Sequence, residues 1–487
     1  MGATRHARTV LADQSDHSKL SRYRPKYMIK HISGLSTGQK ILVAAIIFLV
    51  AQGFVWGFSE PGAHLMPDSN EYITAAAEVS RGELGPEVST VEVLFGARRQ
   101  PGYILLLAIG ETLFGTPVSF VLSLQIMVLL VMGLVTASLS EALLPGSRVL
   151  AFVLMVFNPN SFALVQIVLP ATVFSLCILL TLWAIWRASA SGNWRYGALA
   201  GLFLASAYLF RTDAKYLALI LPVWVPLLGV VYKAGHSPWR LFLVGAMAAT
   251  IFLGINLAWT KSKGTFLTAR EETVVNSIPH FLVGNIIFLE KRQQPDLSIG
   301  EAGAVVADRI INRIKEDGMT GGSHEQGTGF YLSMIGEYPV PTLVQAIISS
   351  QVNLFFSGGT QNLARLTNIE LPSSHGMFEN AEQGDRVSAW WRSIQLAPPG
   401  GVFLSILAIG FAVVMRLLAV LGVAFALARR RWGILVFSLP VIGYWAAILL
   451  FNGISRYRAS IEPVLTLMAI FGVCQLLRMY RTSAKKK

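Results

Sequence analysis

The most restrictive feature of this chain is that apolar runs about as long as a bilayer is thick recur between residues 41 and 477. They fall at 41–58, 118–140, 149–168, 171–187, 196–210, 216–231, 239–260, 402–428, 432–451 and 461–477. The chain has 487 residues, of which 53% are hydrophobic and only 14% charged, and its mean hydropathy is +0.55. That is too little polar surface to enclose so much apolar material in water. The reading is an all-α polytopic membrane protein with about ten spanning helices, in a range of about nine to thirteen. No period of about 20 to 50 residues recurs, so a repeat architecture is not expected.

The net charge of +13 is spread over short Lys and Arg clusters beside apolar runs, a pattern that marks topology and not a nucleic-acid surface. The first 40 residues carry Arg5, Arg8, Lys19, Arg22, Arg24, Lys26, Lys30 and Lys40. The leader is long and "SEPGAHLMPDS" holds no small-x-small cleavage site, so an uncleaved first helix is expected. With that leader in the cytoplasm, Arg148, 187–195, 233–240, 429–431 and the tail "RMYRTSAKKK" all fall inside, and both termini are cytoplasmic. The expected segments are a basic arm, 1–40; a membrane module, 41–260, with an outer loop at 59–117; an outer segment, 261–401; C-terminal spanning helices, 402–477; and a basic tail, 478–487. Residues 101–115 and 340–357 are placed at the outer interface, the first because it is short and broken by Gly110 and Glu111. Spanning is the alternative for both. Within the outer segment, "DRIINRIKEDG" reads as an amphipathic helix and "GMTGGSHEQGTGFY" as a mobile loop. Cys177 and Cys474 lie in apolar runs and imply no disulfide framework.

Ionisable groups at helix ends then gather on the outer side. Asp68 and Glu71, with Tyr72 beside them, lie in the first outer loop, and Arg98 and Arg99 precede "QPGY". "YLFRTDAKY" supplies Arg211, Asp213 and Lys215, and "NGISRYRASIEP" supplies Arg456, Arg458 and Glu462. Sugar transfer from a lipid-linked phosphate asks for that combination. Cations hold the departing phosphate, and one carboxylate takes the proton of the attacking hydroxyl. A lipid carrier also places its phosphate at headgroup depth, where helix ends lie.

These stretches, "PDSNEYITAA", "RRQPGYILLLAIGETLFG", "YLFRTDAKYLALILP" and "RYRASIEPVLTLMAIFG", resemble in order and side the landmarks of the GT-C glycosyltransferases. The branch they resemble is the bacterial one related to protein O-mannosyltransferases and to the lipid A aminoarabinose transferase. The resemblance implies a polyprenyl-phosphate sugar donor, a cavity on the outer side of a bacterial inner membrane, and an envelope acceptor that is glycolipid, polysaccharide or protein. It assigns the acidic position to Asp68, as catalytic base or metal-linked organiser, and basic positions to Arg211, Arg456 and Arg458. Arg98, Arg99 and Lys215 complete the expected phosphate-binding set, with Glu71, Tyr72, Asp213 and Glu462 supporting it. No cofactor is implied outright, and a divalent metal near Asp68 stays open. Departures from the family pattern are Ser69 after Asp68, where a paired acid stands in the protein O-mannosyltransferases, and Ala171-Thr172 where relatives often carry an acid.

Each residue also has a plainer reading. Asp68 with Glu71 has the spacing of a capping box. Arg98 and Arg99 serve equally as headgroup anchors, Arg211, Asp213 and Lys215 as a local ion network, and Glu462 as a partner for a nearby arginine. His280, His324 and His375 lack metal-site spacing, Trp390 and Trp391 suit an interface belt, and Asn158 with Asn160 suits a cap on a helix broken by Pro159. The rival functions are a lipid-linked oligosaccharide ligase or polymerase, and a polyprenyl-linked lipid flippase or transporter.

Overall fold

A computed structural model describes residues 35–81, 100–266, 277–294, 296–318, 328–356, 358–369, 395, 398–448, 450 and 458–484. The chain divides into two compact units, Met1–Ile46 and Ile47–Lys487. In the first, Ser36 and Gln39 open helix α1 (Thr37–Phe58) with a reciprocal box. The Ser36 amide donates to Gln39 Oε1 at 2.7 Å and the Gln39 amide to Ser36 Oγ at 3.2 Å.

The second unit continues as α2 (Pro67–Arg81), α3 (Pro101–Phe114), α4 (Pro117–Leu143), α5 (Arg148–Val156), α6 (Pro159–Leu164), α7 (Ala171–Ser191), α8 (Trp194–Phe210) and α9 (Leu217–Val231). There follow α10 (Pro238–Phe266), α11 (Ser277–Gln293), α12 (Ile299–Glu316), α13 (Thr328–Gly336), α14 (Val340–Phe356), α15 (Thr360–Thr367), α16 (Pro399–Ala428), α17 (Trp432–Ile448) and α18 (Glu462–Ala484). Short 3-10 turns cover Pro61–His64 and Thr212–Tyr216. No strand occurs among the described residues. Prolines at the first turn of α3, α4, α6 and α16 start helices at the position where a missing N–H costs nothing.

Among the described residues, seven helical stretches are long and apolar enough to cross a membrane. Phe403, Ile406 and Val420 on α16 are 65%, 68% and 62% exposed, an outward apolar face that suits lipid and not water. Helices α8 and α17, expected as spans, have 17 residues each, which reach about 25 Å. The run at 149–168 departs from expectation: it forms no spanning helix. It breaks after Val156, restarts at Pro159 and ends at Leu164. The cause is local, because a residue before proline is pushed out of the α region, and Asn158 is extended with φ −61° and ψ 119°. Asn158 Oδ1 then caps α6, accepting from the amides of Asn160 and Ser161 at 3.0 and 3.3 Å.

Helix α3 has only 14 residues, about 21 Å, and buries Tyr103, Ile104 and Leu107 completely against protein. Its neighbours are α2, α4 and α8. Helices α11 to α14 pack around a separate apolar cluster that includes Ile286, Leu289, Val306, Ile310, Met334 and Ala346. The expected amphipathic helix is α12, opened by a capping box between Ser298 and Glu301. Of the stretch expected as a mobile loop, 319–327 lies outside the described residues, and Thr328–Gly336 is helical. Its Tyr331, Met334 and Ile335 enter the same cluster, which gives that turn a reason to be helical. The cluster's polar edge joins Arg309 to Glu290 at 3.3 Å and to Glu337, and Tyr338 donates to Glu290 at 2.7 Å. Burial and the neighbouring Glu290 push the Tyr338 phenol up from its ordinary range.

Helices α16 and α18 touch backbone to backbone. A Cβ on Gly422 would lie 2.2 Å from Met468 O, and one on Gly472 would lie 2.2 Å from Leu418 O. Gly410, on the same helix as Gly422, has no heavy atom within 4 Å of such a Cβ. Gly422→Val is therefore expected to cost about 2 kcal/mol or more through overpacking. Gly410→Val should leave the thermal midpoint of the detergent-solubilised protein within about a degree or two of wild type. Equal midpoints for the two variants would refute the close α16–α18 approach.

Candidate active site

The break after Val156 leaves an irregular stretch running from Val165 to Pro170 between α6 and α7. Carbonyls freed from a helix cannot be left bare in a buried setting, and this chain supplies side chains for them. Gln52 of α1 donates to Phe162 O at 3.1 Å, and Gln125 of α4 donates to Val165 O at 3.1 Å and Ile167 O at 2.8 Å. His64 Nδ1 meets Gln166 O at 2.7 Å, and since a carbonyl only accepts, that nitrogen carries the proton. Ser69 Oγ donates to Val168 O at 2.7 Å. Gln166 returns its own amide to Gln52 Oε1 at 2.6 Å, and Tyr103 donates to Gln125 Oε1 at 3.2 Å.

Asp68 stands at the edge of this clasp. Helix α2 begins at Pro67, so Asp68 lies inside its first turn, and the capping box read from Asp68 and Glu71 does not take that form. Ser69 closes the turn instead: it accepts from the Met66 amide at 2.8 Å while donating to Val168 O. Asp68 is half-buried and its neighbour Ser69 is fully buried, so the backbone carrying the carboxylate is pinned to the irregular stretch. An acid in a first turn also faces the positive end of the helix dipole. Tyr72, one turn on, meets Tyr103 edge to face at 5.1 Å, and Glu71 is exposed.

The basic turn after α8 comes to the same place. Phe210 packs in one cluster with Tyr72, Tyr103 and Val168. Arg211 next to it grips Asp213 through Nε at 2.9 Å and through Nη2, and its guanidinium lies 5.3 Å from the ring centre of Phe174. Tyr444 donates to Asp213 O, and Trp445 meets Phe174 edge to face at 5.7 Å. Lys215 sits half-buried with its ammonium 4.8 Å from the Tyr216 ring centre, and no carboxylate pairs with it among the described residues.

The late arginine is placed differently from the expectation that it faces substrate. Arg458 is 1% exposed, and its guanidinium is spent within the protein. Nε donates to Glu462 Oε1 at 2.5 Å, and Nη1 donates to Leu354 O and Phe355 O at 3.1 Å each. Arg416 reaches the same carboxylate oxygen at 2.6 Å and Phe355 O at 2.9 Å, and Asn158 Nδ2 reaches Glu462 Oε2 at 3.0 Å. Two guanidiniums thus share one fully buried carboxylate, and the last carbonyls of α14 take the surplus positive charge. The arrangement is a framework joint between α6, α14, α16 and α18. Glu462 has this role and not a place at an open site.

Sequence reading missed Arg416, although a lone charge inside a 30-residue apolar helix is itself a signal. It also missed the buried set of Gln52, Gln125, Gln166 and His64, and Arg365 of α15. Arg365 Nη1 lies 2.8 Å from Met66 Sδ, two residues before Asp68. Arg98, Arg99 and Arg456 lie outside the described residues, as do the side chains of His280, His324, His375, Trp390 and Trp391. Among the described residues no three His, Cys, Asp or Glu side chains gather in a way that could hold a metal ion.

No family model matches the chain, and no curated protein matches it. Three solved structures of the oligosaccharyltransferase of Archaeoglobus fulgidus are similar to it. AglB in complex with an inhibitory peptide and a dolichol-phosphate aligns with 93% of this chain and 52% of its own, at 12% identity and a TM-score of 0.47. The apo form aligns with 92% and 52%, at 13% identity and 0.47. The form tethered to an acceptor peptide aligns with 91% and 50%, at 12% identity and 0.46. The chain spans about half the length of the solved structures it matches.

Proposed function

We propose that this protein is a membrane glycosyltransferase that moves a sugar from a polyprenyl-phosphate donor to an acceptor hydroxyl on the outer face of a bacterial inner membrane. The acceptor is a glycolipid, polysaccharide or protein of the envelope. One observation carries the reading: the early acid and the mid-chain Arg211 are tied to neighbouring turns of one segment, the irregular stretch and the start of α7 that follows it. Ser69 fixes the backbone of Asp68 to Val168, and Arg211 lies over Phe174, six residues further on.

In the proposed reaction the acceptor oxygen attacks the anomeric carbon as the bond from that carbon to the phosphate oxygen breaks. Asp68 takes the acceptor's proton, and polyprenyl phosphate leaves with its charge held by Lys215 and Arg211. A single displacement with one base inverts the anomeric centre. Lys215 is suited to the phosphate because no carboxylate among the described residues competes for it, whereas Arg211 shares its charge with Asp213. Arg458, Arg416 and Glu462 hold the frame and do not touch substrate in this scheme. No step runs through a metal.

The decisive measurement is sugar transfer by purified protein in lipid, using a panel of polyprenyl-phosphate sugars with envelope acceptors. Asp68→Asn is expected to lower turnover by about 10²-fold or more with an unchanged thermal midpoint, and full activity in that variant removes Asp68 from the chemistry. Lys215→Met should raise the KM for the lipid-phosphate donor about tenfold, with a smaller change in kcat, because a charge-assisted contact to the phosphate is lost. A KM that stays put would assign Lys215 to the fold alone. Glu462→Gln, in contrast, leaves two buried guanidiniums without their counter-charge and is expected to cost about 3 to 5 kcal/mol of stability. Glu71→Gln, at an exposed position, should fall within about 0.5 kcal/mol of wild type in the same unfolding assay.

A further inference from the structure

The loops joining α7 to α8, α9 to α10 and α16 to α17 meet at one end of their helices. They bring cations together without a carboxylate. Between Glu141 and Glu271 the sequence has a single acidic residue, Asp213, which lies beyond the far end of the 17-residue α8, about 25 Å away. Gly192 ends α7 with φ +60°, and a Cβ there would lie 3.0 Å from the His236 ring of the next loop. Arg240 Nε donates to Gly192 O at 3.2 Å, stitching the same two loops. A Cβ on Gly433 would lie 2.7 Å from the Tyr232 ring, which draws the turn holding Arg430 and Arg431 beside Lys233. The three loops therefore form one surface.

Aromatic rings hold the arginines of that surface in place. The Arg187 guanidinium carbon lies 5.7 and 5.2 Å from the ring centres of Trp183 and Trp186, and that of Arg195 lies 5.9 Å from Trp194. Trp183 meets Tyr196 edge to face at 5.8 Å, so Arg187 and Arg195 flank the same turn. Arg187, Arg195 and Lys233 are exposed and make no ion pair among the described residues. Trp194 and Trp239 are 60% and 65% exposed at the ends of apolar helices, the position of rings that sit at headgroup level.

We propose that this joined surface binds the phosphodiester headgroups of anionic phospholipids. Cations that only set topology act during insertion and need no joined surface. Here three loops are packed into one, the guanidinium planes rest on rings, and the N–H edges stay free for phosphate oxygens. Exposed tryptophans beside the cations favour a lipid over a soluble anion, which would gain nothing from them. The proposal is independent of the reaction at Asp68.

The test is lipid retention by the full chain, read by native mass spectrometry after release from micelles containing phosphatidylglycerol and phosphatidylcholine with the same acyl chains. Wild type is expected to keep phosphatidylglycerol in preference. The variant Arg187→Gln/Arg195→Gln/Lys233→Gln should lose that preference by about tenfold or more, given three surface cations acting together. Arg478→Gln/Arg481→Gln, which removes exposed charge from the end of α18, should keep it. Thermal unfolding of each variant establishes that the protein measured is folded. Equal retention of the two lipids by wild type, or wild-type retention by the triple variant, overturns the proposal. Displacement of the bound lipid by excess inorganic phosphate overturns it as well, in favour of a free-anion site.

Discussion

A chain that leaves the helical path inside an apolar surround must find donors for the carbonyls it releases, and the site depends on how this chain does so. Pro159 forbids one continuous helix over 149–168, and the carbonyls from Phe162 to Val168 are met by Gln52, Gln125, His64 and Ser69. Those donors come from α1, α4, the 3-10 turn at Pro61–His64, and α2. Satisfying a broken backbone thus fixes the 3-10 turn at Pro61–His64 and α2 to the middle of the bundle. The Asp68 carboxylate inherits that order through Ser69. A regular helix in the same place would have needed none of these side chains and would have held α2 only by apolar packing.

The second constraint is charge. Burying two arginines against one glutamate is costly unless every polar atom is answered, and the bundle answers most of them with backbone as well as side chain. The C-terminal carbonyls of α14 lie where helix ends carry negative partial charge, so they accept from both Arg416 and Arg458. Helix α14 also contributes Ala346 to the cluster formed with α11 to α13. The joint therefore connects that cluster to α16 and α18. A snug apolar joint could bear the same load, but it would not fix which turn of α14 meets which turn of α18.

Much of this was legible in the sequence because it follows from period and length. Seven of the expected runs are of spanning length, the amphipathic stretch around 308–318 became α12, and Asn158 with Pro159 announced a break. Legibility failed where a residue's role depends on partners far along the chain. Arg458 was read by its side of the membrane, but Glu462 four residues on and the carbonyls of Leu354 and Phe355, 104 and 103 residues earlier, decide that it is buried. The fate of Gln125 depends on carbonyls 40 residues away that are free only because of Pro159. Resemblance to a family supplied the acid and the direction of the proposed chemistry, and it could not tell that Arg458 would be taken up by a helix end.

What separates these arginines is the company each keeps. Arg458 and Arg416 sit with a carboxylate and bare carbonyls, so most of their donors in contact are spent within the protein: Nε and Nη1 of Arg458, and Nε and Nη2 of Arg416. Arg211 sits with the Asp213 carboxylate and an aromatic face, that of Phe174, and both fix its position. Arg187 and Arg195 have aromatic faces and no ion pair among the described residues. An arginine has five N–H donors, and those that the fold's own acceptors occupy are not available to an external anion. One residue type thus serves as a framework joint at Arg416 and Arg458 and in the proposed anion contacts at Arg211, Arg187 and Arg195, and the acceptors and rings that the fold sets around each one make the difference.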